Sequence, residues 1–298
     1  MPGPAGSFRT RTAVCNPLMT SRGVVSYLVL AFLPAWLAWA AVAAAGASMD
    51  DPVIQLITAA FIPALAATIV RYRVTREGFA DAGLRPRLRR HWRTYVFAVA
   101  VSPVFLVIAL SLAWAAGYWS PTTTDWSDHV LFLVAIPAIP VLAAPIFFGE
   151  EFGWTAYLRD RLLPGRPVAT TFLTGLVWGV WHWPLPWVGY FGAHVDAGEA
   201  VIAMLLWVPL SILLEFVIGF VWGRSGSVWP STIVHGGGNL VVAAGLEILT
   251  ESALSVTTST LLYIAAMVPV VGVLLIAGRW SAVRPVGPTP EVRVPRVR

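Results

Sequence analysis

The stretch VLFLVAIPAIPVLAAPIFFGEEFGWTAY, residues 130–157, is apolar from end to end apart from the polar Thr155 and the adjacent acids Glu150 and Glu151. A membrane-spanning helix needs about 20 mostly apolar residues, and this run exceeds that length. A charged side chain at the bilayer centre costs at least ~2.5 kcal/mol on insertion scales. Two neighbouring carboxylates inside such a run therefore mark either a site or a strong structural need.

Seven further stretches meet the same length criterion: 24–46, 53–70, 94–116, 168–188, 201–222, 227–246 and 258–278. The expected fold is all-α, a polytopic membrane protein of about eight transmembrane helices with both termini cytoplasmic. Alternating strand patterns, as in an outer-membrane barrel, are absent. The chain divides into a polar leader at 1–23, one transmembrane domain at 24–280, and a cytoplasmic tail at 281–298 read as disordered. The first apolar stretch is too long for a signal-peptide core and lacks a small-residue cleavage site. No internal repeat and no inverted-repeat pattern of a secondary transporter is evident.

The charges test this count. All 20 basic residues are arginine, and they fall only before the first stretch, after the second, fourth and sixth, and after the last. Those are alternate loops, so every arginine lies on one face, which the positive-inside rule makes cytoplasmic. The opposite loops carry Asp50, Asp51, Asp125, Asp128, Asp196, Glu199 and Glu251. With 57% hydrophobic and 12% charged residues, the chain as a whole is neither a soluble globular enzyme nor a disordered polypeptide. The net charge of +5 reflects topology, not nucleic-acid binding. Cys15 is alone, so an intrachain disulfide and a cysteine zinc site are excluded. The basic 71–93 loop, containing LRPRLRRHW, reads as a topogenic charge cluster at the membrane surface.

Few polar groups remain inside the spans: Glu150, Glu151, His182, Glu215, His235 and Asn239. At 1.5 Å rise per residue, Glu150 lies roughly 13 Å from the cytoplasmic end of its helix, His235 about 12 Å, and His182 about 20 Å. Glutamate and two histidines at overlapping depth suit the activation of water, with or without a metal. His235 and Asn239 are four residues apart and share a helix face. Gly236, Gly237 and Gly238 between them cost roughly 1 kcal/mol each against alanine, which implies close backbone packing or room for a substrate. Pro184 and Pro186 are expected to end or kink the helix just beyond His182. Glu215 reads as a partner for Arg224 or an interhelical contact, and the Gly219–Gly223 pair as packing. His91, His129 and His194 have no motif around them.

Three segments together resemble the CPBP family of intramembrane proteases, which includes the type II CAAX prenyl endopeptidases and bacteriocin-processing or self-immunity proteins. They are GEEFGWTAYLRDRL (149–162), LVWGVWHWP (176–184) and GSVWPSTIVHGGGNL (226–240), matching the family's EExxxR, FxxxH and HxxxN motifs in order. The family-like core is expected at about 130–246. The resemblance implies that Glu150 activates water with His182, that Glu151 holds a neighbouring histidine or the water, and that His235 and Asn239 stabilise the oxyanion. It implies a peptide-bond hydrolase of the cell membrane, acting on a membrane protein or peptide, lipidated or not, with no nucleic-acid partner. The family has been read both as zinc proteases and as metal-independent glutamate proteases; Glu150, His182 and His235 would be the Zn2+ ligands. The rival readings are an inactive relative serving as membrane adaptor or immunity protein, and a transporter using the intramembrane acids as a proton path.

Two positions depart from the family pattern. Trp178 replaces the phenylalanine of the second motif, and Thr155 stands where EExxxR has arginine. On α-helical phase Arg159 lies about 80° from the Glu151 face. Arg224, from another helix, is one candidate stand-in.

Overall fold

A computed structural model describes residues 17–191 and 196–276, and among these it contains helices and no strands. Cys15, His194 and the tail from 281 lie outside the described residues. The helices are α1 (Pro17–Ala44), α2 (Pro52–Val74), α3 (Leu88–Ala115), α4 (Trp126–Ala135), α5 (Ile139–Leu162), α6 (Pro167–Trp181), α7 (Ala197–Ser225), α8 (Val228–Leu249) and α9 (Val256–Ile276). Six of them are long and apolar enough to cross a membrane, and the bent pair α4 and α5 raises this to seven. The fold class is therefore that of a multi-pass, all-helical protein.

Two stretches differ from uninterrupted spans. The run 130–157 is broken between α4 and α5, whose axes meet at 62°. Pro137 lies in the break and Pro140 in the first turn of α5, and each removes a backbone donor there. The stretch 168–188 becomes the 15-residue α6, which ends at Trp181 and is followed by a 3-10 turn at Leu185–Val188. At ~22 Å it is shorter than a hydrocarbon core of about 30 Å. Pro184 and Pro186 account for that early end, as their spacing leads one to expect.

The connections sort into two ends. At one, the 75–87 loop meets α5 and the α7–α8 junction: Trp229 donates its indole N–H to the Leu84 carbonyl at 2.9 Å, and the Val228 N–H donates to Gly83 O at 3.0 Å. At the other, the Met49 N–H donates to Val188 O at 2.9 Å and the Thr124 hydroxyl to Leu249 O at 3.1 Å. The arginines of the internal loops gather at the first end and Glu251 at the second, beside His129 at 3.9 Å.

The basic loop does more than carry charge. Arg71 is fully buried and binds Asp81 at 2.7 Å, while Arg161 binds Glu77 at 2.8 Å and Asp81 at 3.1 Å. Burial raises the Asp81 pKa, but hydrogen bonding and charge from Arg71, then the charge of Arg161, outweigh it and hold the carboxyl below its usual range.

These arginines also explain the local shape of α5. After Gly153 the helix widens into a π-helical turn at Trp154–Arg159. A π turn leaves carbonyls out of α-helical register, and such insertions recur at functional sites. Here side chains satisfy them: Arg71 donates to Ala156 O at 3.0 Å, Arg161 to Tyr157 O at 2.8 Å and the Thr170 hydroxyl to Arg159 O at 2.6 Å.

Candidate active site

Glu150 and Glu151 sit on the last α-helical turn of α5 before it widens. Adjacent residues on a helix point about 100° apart, and these two carboxylates accordingly have separate partners. Glu151 is buried and accepts two hydrogen bonds: from the Thr155 hydroxyl to Oε2 at 2.7 Å and from His235 Nδ1 to Oε1 at 2.9 Å. Glu150 is half-buried and accepts from the Trp178 indole N–H on Oε2 at 2.9 Å.

His182 occupies the C-cap of α6, where the helix stops. Its Nδ1 donates to the carbonyl of Trp178 one turn back at 2.8 Å, which leaves Nε2 as an acceptor. Three indoles surround the ring. Trp207 of α7 stacks on it with centroids 4.8 Å apart and planes at 17°, and Trp178 and Trp181 meet it edge-on. His235 lies in the first half of α8, edge-on to Trp178 at 4.8 Å and against Phe147 at 4.7 Å.

Glu150, His182 and His235 thus all contact the one side chain of Trp178. The overlap in depth read from the sequence is realised as contact. Asn239 is the exception. The α-helix gives way to a π-helical turn at Gly238–Ala243, so the α-helical register between His235 and Asn239 is interrupted. Asn239 is half-buried there and joins none of the other four site residues by a hydrogen bond among the described residues.

The glycines between them serve close packing. A Cβ at Gly236 would meet Phe147, at Gly237 Ser102, and at Gly238 the Tyr263 hydroxyl. No volume is left at these three backbones for a substrate. On α6, Gly175 and Gly179 play the same part, bringing its backbone against that of α7 at Ile212 and Val208. This close crossing places His182 under Trp207.

Glu215 pairs with Arg159, not with Arg224. Arg159 Nε lies 3.4 Å from Glu215 Oε1, both groups are buried, and Arg159 Nη2 also donates to the Thr171 hydroxyl at 2.8 Å. Two features invisible to α-helical phase counting produce this: the π turn re-aims Arg159, and Gly219 makes room for its guanidinium. Arg224 is exposed and lies over the Phe220 ring at 5.1 Å. Among the described residues the hydrogen bond at the motif-arginine position on Glu151 comes from the Thr155 hydroxyl.

Among the described residues, no three His, Cys, Asp or Glu side chains converge as a group able to hold a metal ion. The two histidines have committed Nδ1 to Trp178 O and to Glu151, and Glu150 Oε2 to the indole. Those bonds leave Nε2 of each histidine and Oε1 of Glu150 uncommitted, but the three side chains do not gather as a metal-holding group among the described residues, and no chemical step is derived through zinc below.

The Rce1-like family model, described as type II CAAX prenyl endopeptidase Rce1-like, matches residues 126–241. That segment runs from the start of α4 into the π turn of α8 and contains all five motif residues. The resemblance carried by the three motifs is thereby shown. No curated protein matches the chain in sequence.

Proposed function

We propose that this chain, whose 126–241 segment carries the Rce1-like match, is an intramembrane endopeptidase that hydrolyses a peptide bond of a membrane-associated protein or peptide. The observation that carries the reading is the gathering of one carboxylate and two imidazoles around Trp178. Glu150 takes one proton from water on its unbonded oxygen, while His182 Nε2 accepts a hydrogen bond from the O–H that remains. The water oxygen attacks the scissile carbonyl carbon. As the C–N bond breaks, Glu150 returns its proton to the leaving amine. A general base of this kind contributes about 10²–10⁴-fold.

His235 must carry hydrogen on Nδ1 to bond the Glu151 carboxylate. As an imidazolium it also presents Nε2–H, a donor for the developing oxyanion, with Glu151 compensating its charge. The Asn239 amide, further along the same helix, supplies a second donor. Removing one donor of this type costs about 3–4 kcal/mol in the transition state.

The eight apolar stretches then form eight crossings with both termini cytoplasmic, α6 completing its crossing through the 3-10 turn. The arginine-bearing end faces the cytoplasm of a cell-membrane protein. The substrate is a membrane protein or peptide, including CAAX-like, lipidated ones. The alternative of an inactive adaptor or immunity protein leans on Thr155, yet its hydroxyl supplies the hydrogen bond that Glu151 needs at that position.

Comparative proteomics of membrane peptides from cells carrying wild type or Glu150→Gln tests this reading. A product that accumulates only with wild type supports it and reports the cleavage site; identical peptide profiles reject it. Metal analysis of the purified protein, with His182→Ala and His235→Ala as controls, tests zinc separately.

A further inference from the structure

Trp178 stands where the resembled motif has phenylalanine, and its extra atom is in use. The side chain is 3% exposed. Its indole N–H donates to Glu150 Oε2 at 2.9 Å, and its ring edges against His235 at 4.8 Å and His182 at 5.5 Å. Its main-chain carbonyl meanwhile fixes the His182 ring through Nδ1. Phenylalanine reproduces the ring contacts and the carbonyl, but it has no donor.

A glutamate carboxylate turns about a broad, roughly two-fold terminal torsion. Half-buried and tied at neither oxygen, Glu150 would sample orientations that aim both lone-pair edges away from the water. The buried Trp178 N–H on Oε2, with the Trp154 indole as a further neighbour of the carboxylate, sets its plane and leaves Oε1 to receive the proton. Such a bond is charge-assisted, hence short and directional. Trp178 is itself held by the close crossing of α6 and α7, so the donor arrives on a rigid element.

We propose that Trp178 is a positioning residue of the hydrolytic site, whose indole N–H orients the Glu150 carboxylate toward the water it shares with His182. This rests on the reading of Glu150 as the base. The indole acts on the carboxylate and not on substrate binding, so its removal lowers kcat and leaves KM in place.

The test uses the full-length protein in proteoliposomes and a peptide spanning the cleavage site found by the proteomic comparison. Trp178→Phe removes the donor and some ring volume. Replacement of Trp178 by 3-benzothienylalanine, which keeps the bicyclic shape and lacks the N–H, removes the donor alone. Both are expected to lower kcat about tenfold to a hundredfold with KM unchanged. The isostere is further expected to unfold at the wild-type temperature. Wild-type kcat in the isostere, with Glu150→Gln inactive, overturns the positioning role and leaves the base intact. Wild-type kcat in Glu150→Gln overturns the base, and this inference with it.

Discussion

His235 Nδ1 lies 2.9 Å from Glu151 Oε1, although the two residues are 84 positions apart and belong to different helices. The bond fixes which imidazole nitrogen faces the reaction, since the nitrogen bonded to the carboxylate must be Nδ1. Glu151→Gln keeps the size and an acceptor oxygen but removes the charge that supports an imidazolium. Turnover is expected to fall at least ~100-fold, by analogy with the loss of an orienting acid behind a catalytic histidine. The protein should remain folded, which thermal unfolding in detergent checks beside the cleavage assay.

Thr155 anchors the other oxygen of the same carboxylate at 2.7 Å. Thr155→Val preserves the branched shape and deletes the donor, leaving a buried carboxylate oxygen unsatisfied. Stability is expected to drop by about 1–3 kcal/mol, read from denaturant unfolding, with activity lowered as well. Restoring the motif arginine by Thr155→Arg is expected to destabilise rather than activate. The position has 0% exposure, and a guanidinium there would overpack it.

The Arg159–Glu215 pair is wholly buried, with Asp160 3.8 Å from the same guanidinium, and breaking the pair leaves a buried charge short of its main counter-ion. Glu215→Ala or Arg159→Ala alone is expected to cost about 3–5 kcal/mol, whereas a double change to apolar residues of similar volume recovers most of it. A double-mutant cycle on unfolding free energies measures the coupling.

Much of this arrangement was legible in the residues, and the misses share a cause. Apolar length located the helices, the arginines sorted the loops, and Glu150, Glu151, His182 and His235 stood out because ionisable groups are costly in hydrocarbon. Phase counting kept Arg159 off the Glu151 face, as the structure has it, but could not find its partner Glu215, because a π-helical turn intervenes there, as another does at Gly238–Ala243. Those turns depend on partners distant in sequence, such as Arg71 at Ala156 O. The bend between α4 and α5 did have a local signal in Pro137 and Pro140, outweighed by the length of the apolar run. The donor at Trp178 was visible as a residue type, but its target required the packed structure.

Asp81 links the 75–87 loop to α5 and carries a pH dependence of known sign. Its folded-state pKa lies below the ordinary 3.8 because the Arg71 and Arg161 guanidiniums overcome burial. The folded protein therefore binds that proton less readily than the unfolded chain. Its contribution to stability is complete above the ordinary value and disappears as pH falls through the lower folded value. The unfolding temperature in acid should decline less steeply for Asp81→Asn than for wild type, from a lower starting point.

The central claim is that Glu150 activates the hydrolytic water. Its most direct test is the single-turnover cleavage rate of purified wild-type and Glu150→Gln protein in proteoliposomes, on the peptide found by proteomics. The account predicts that wild type cleaves and that Glu150→Gln, folded and binding the peptide equally, is slower by about 10²-fold or more. Equal rates for the two proteins would contradict it.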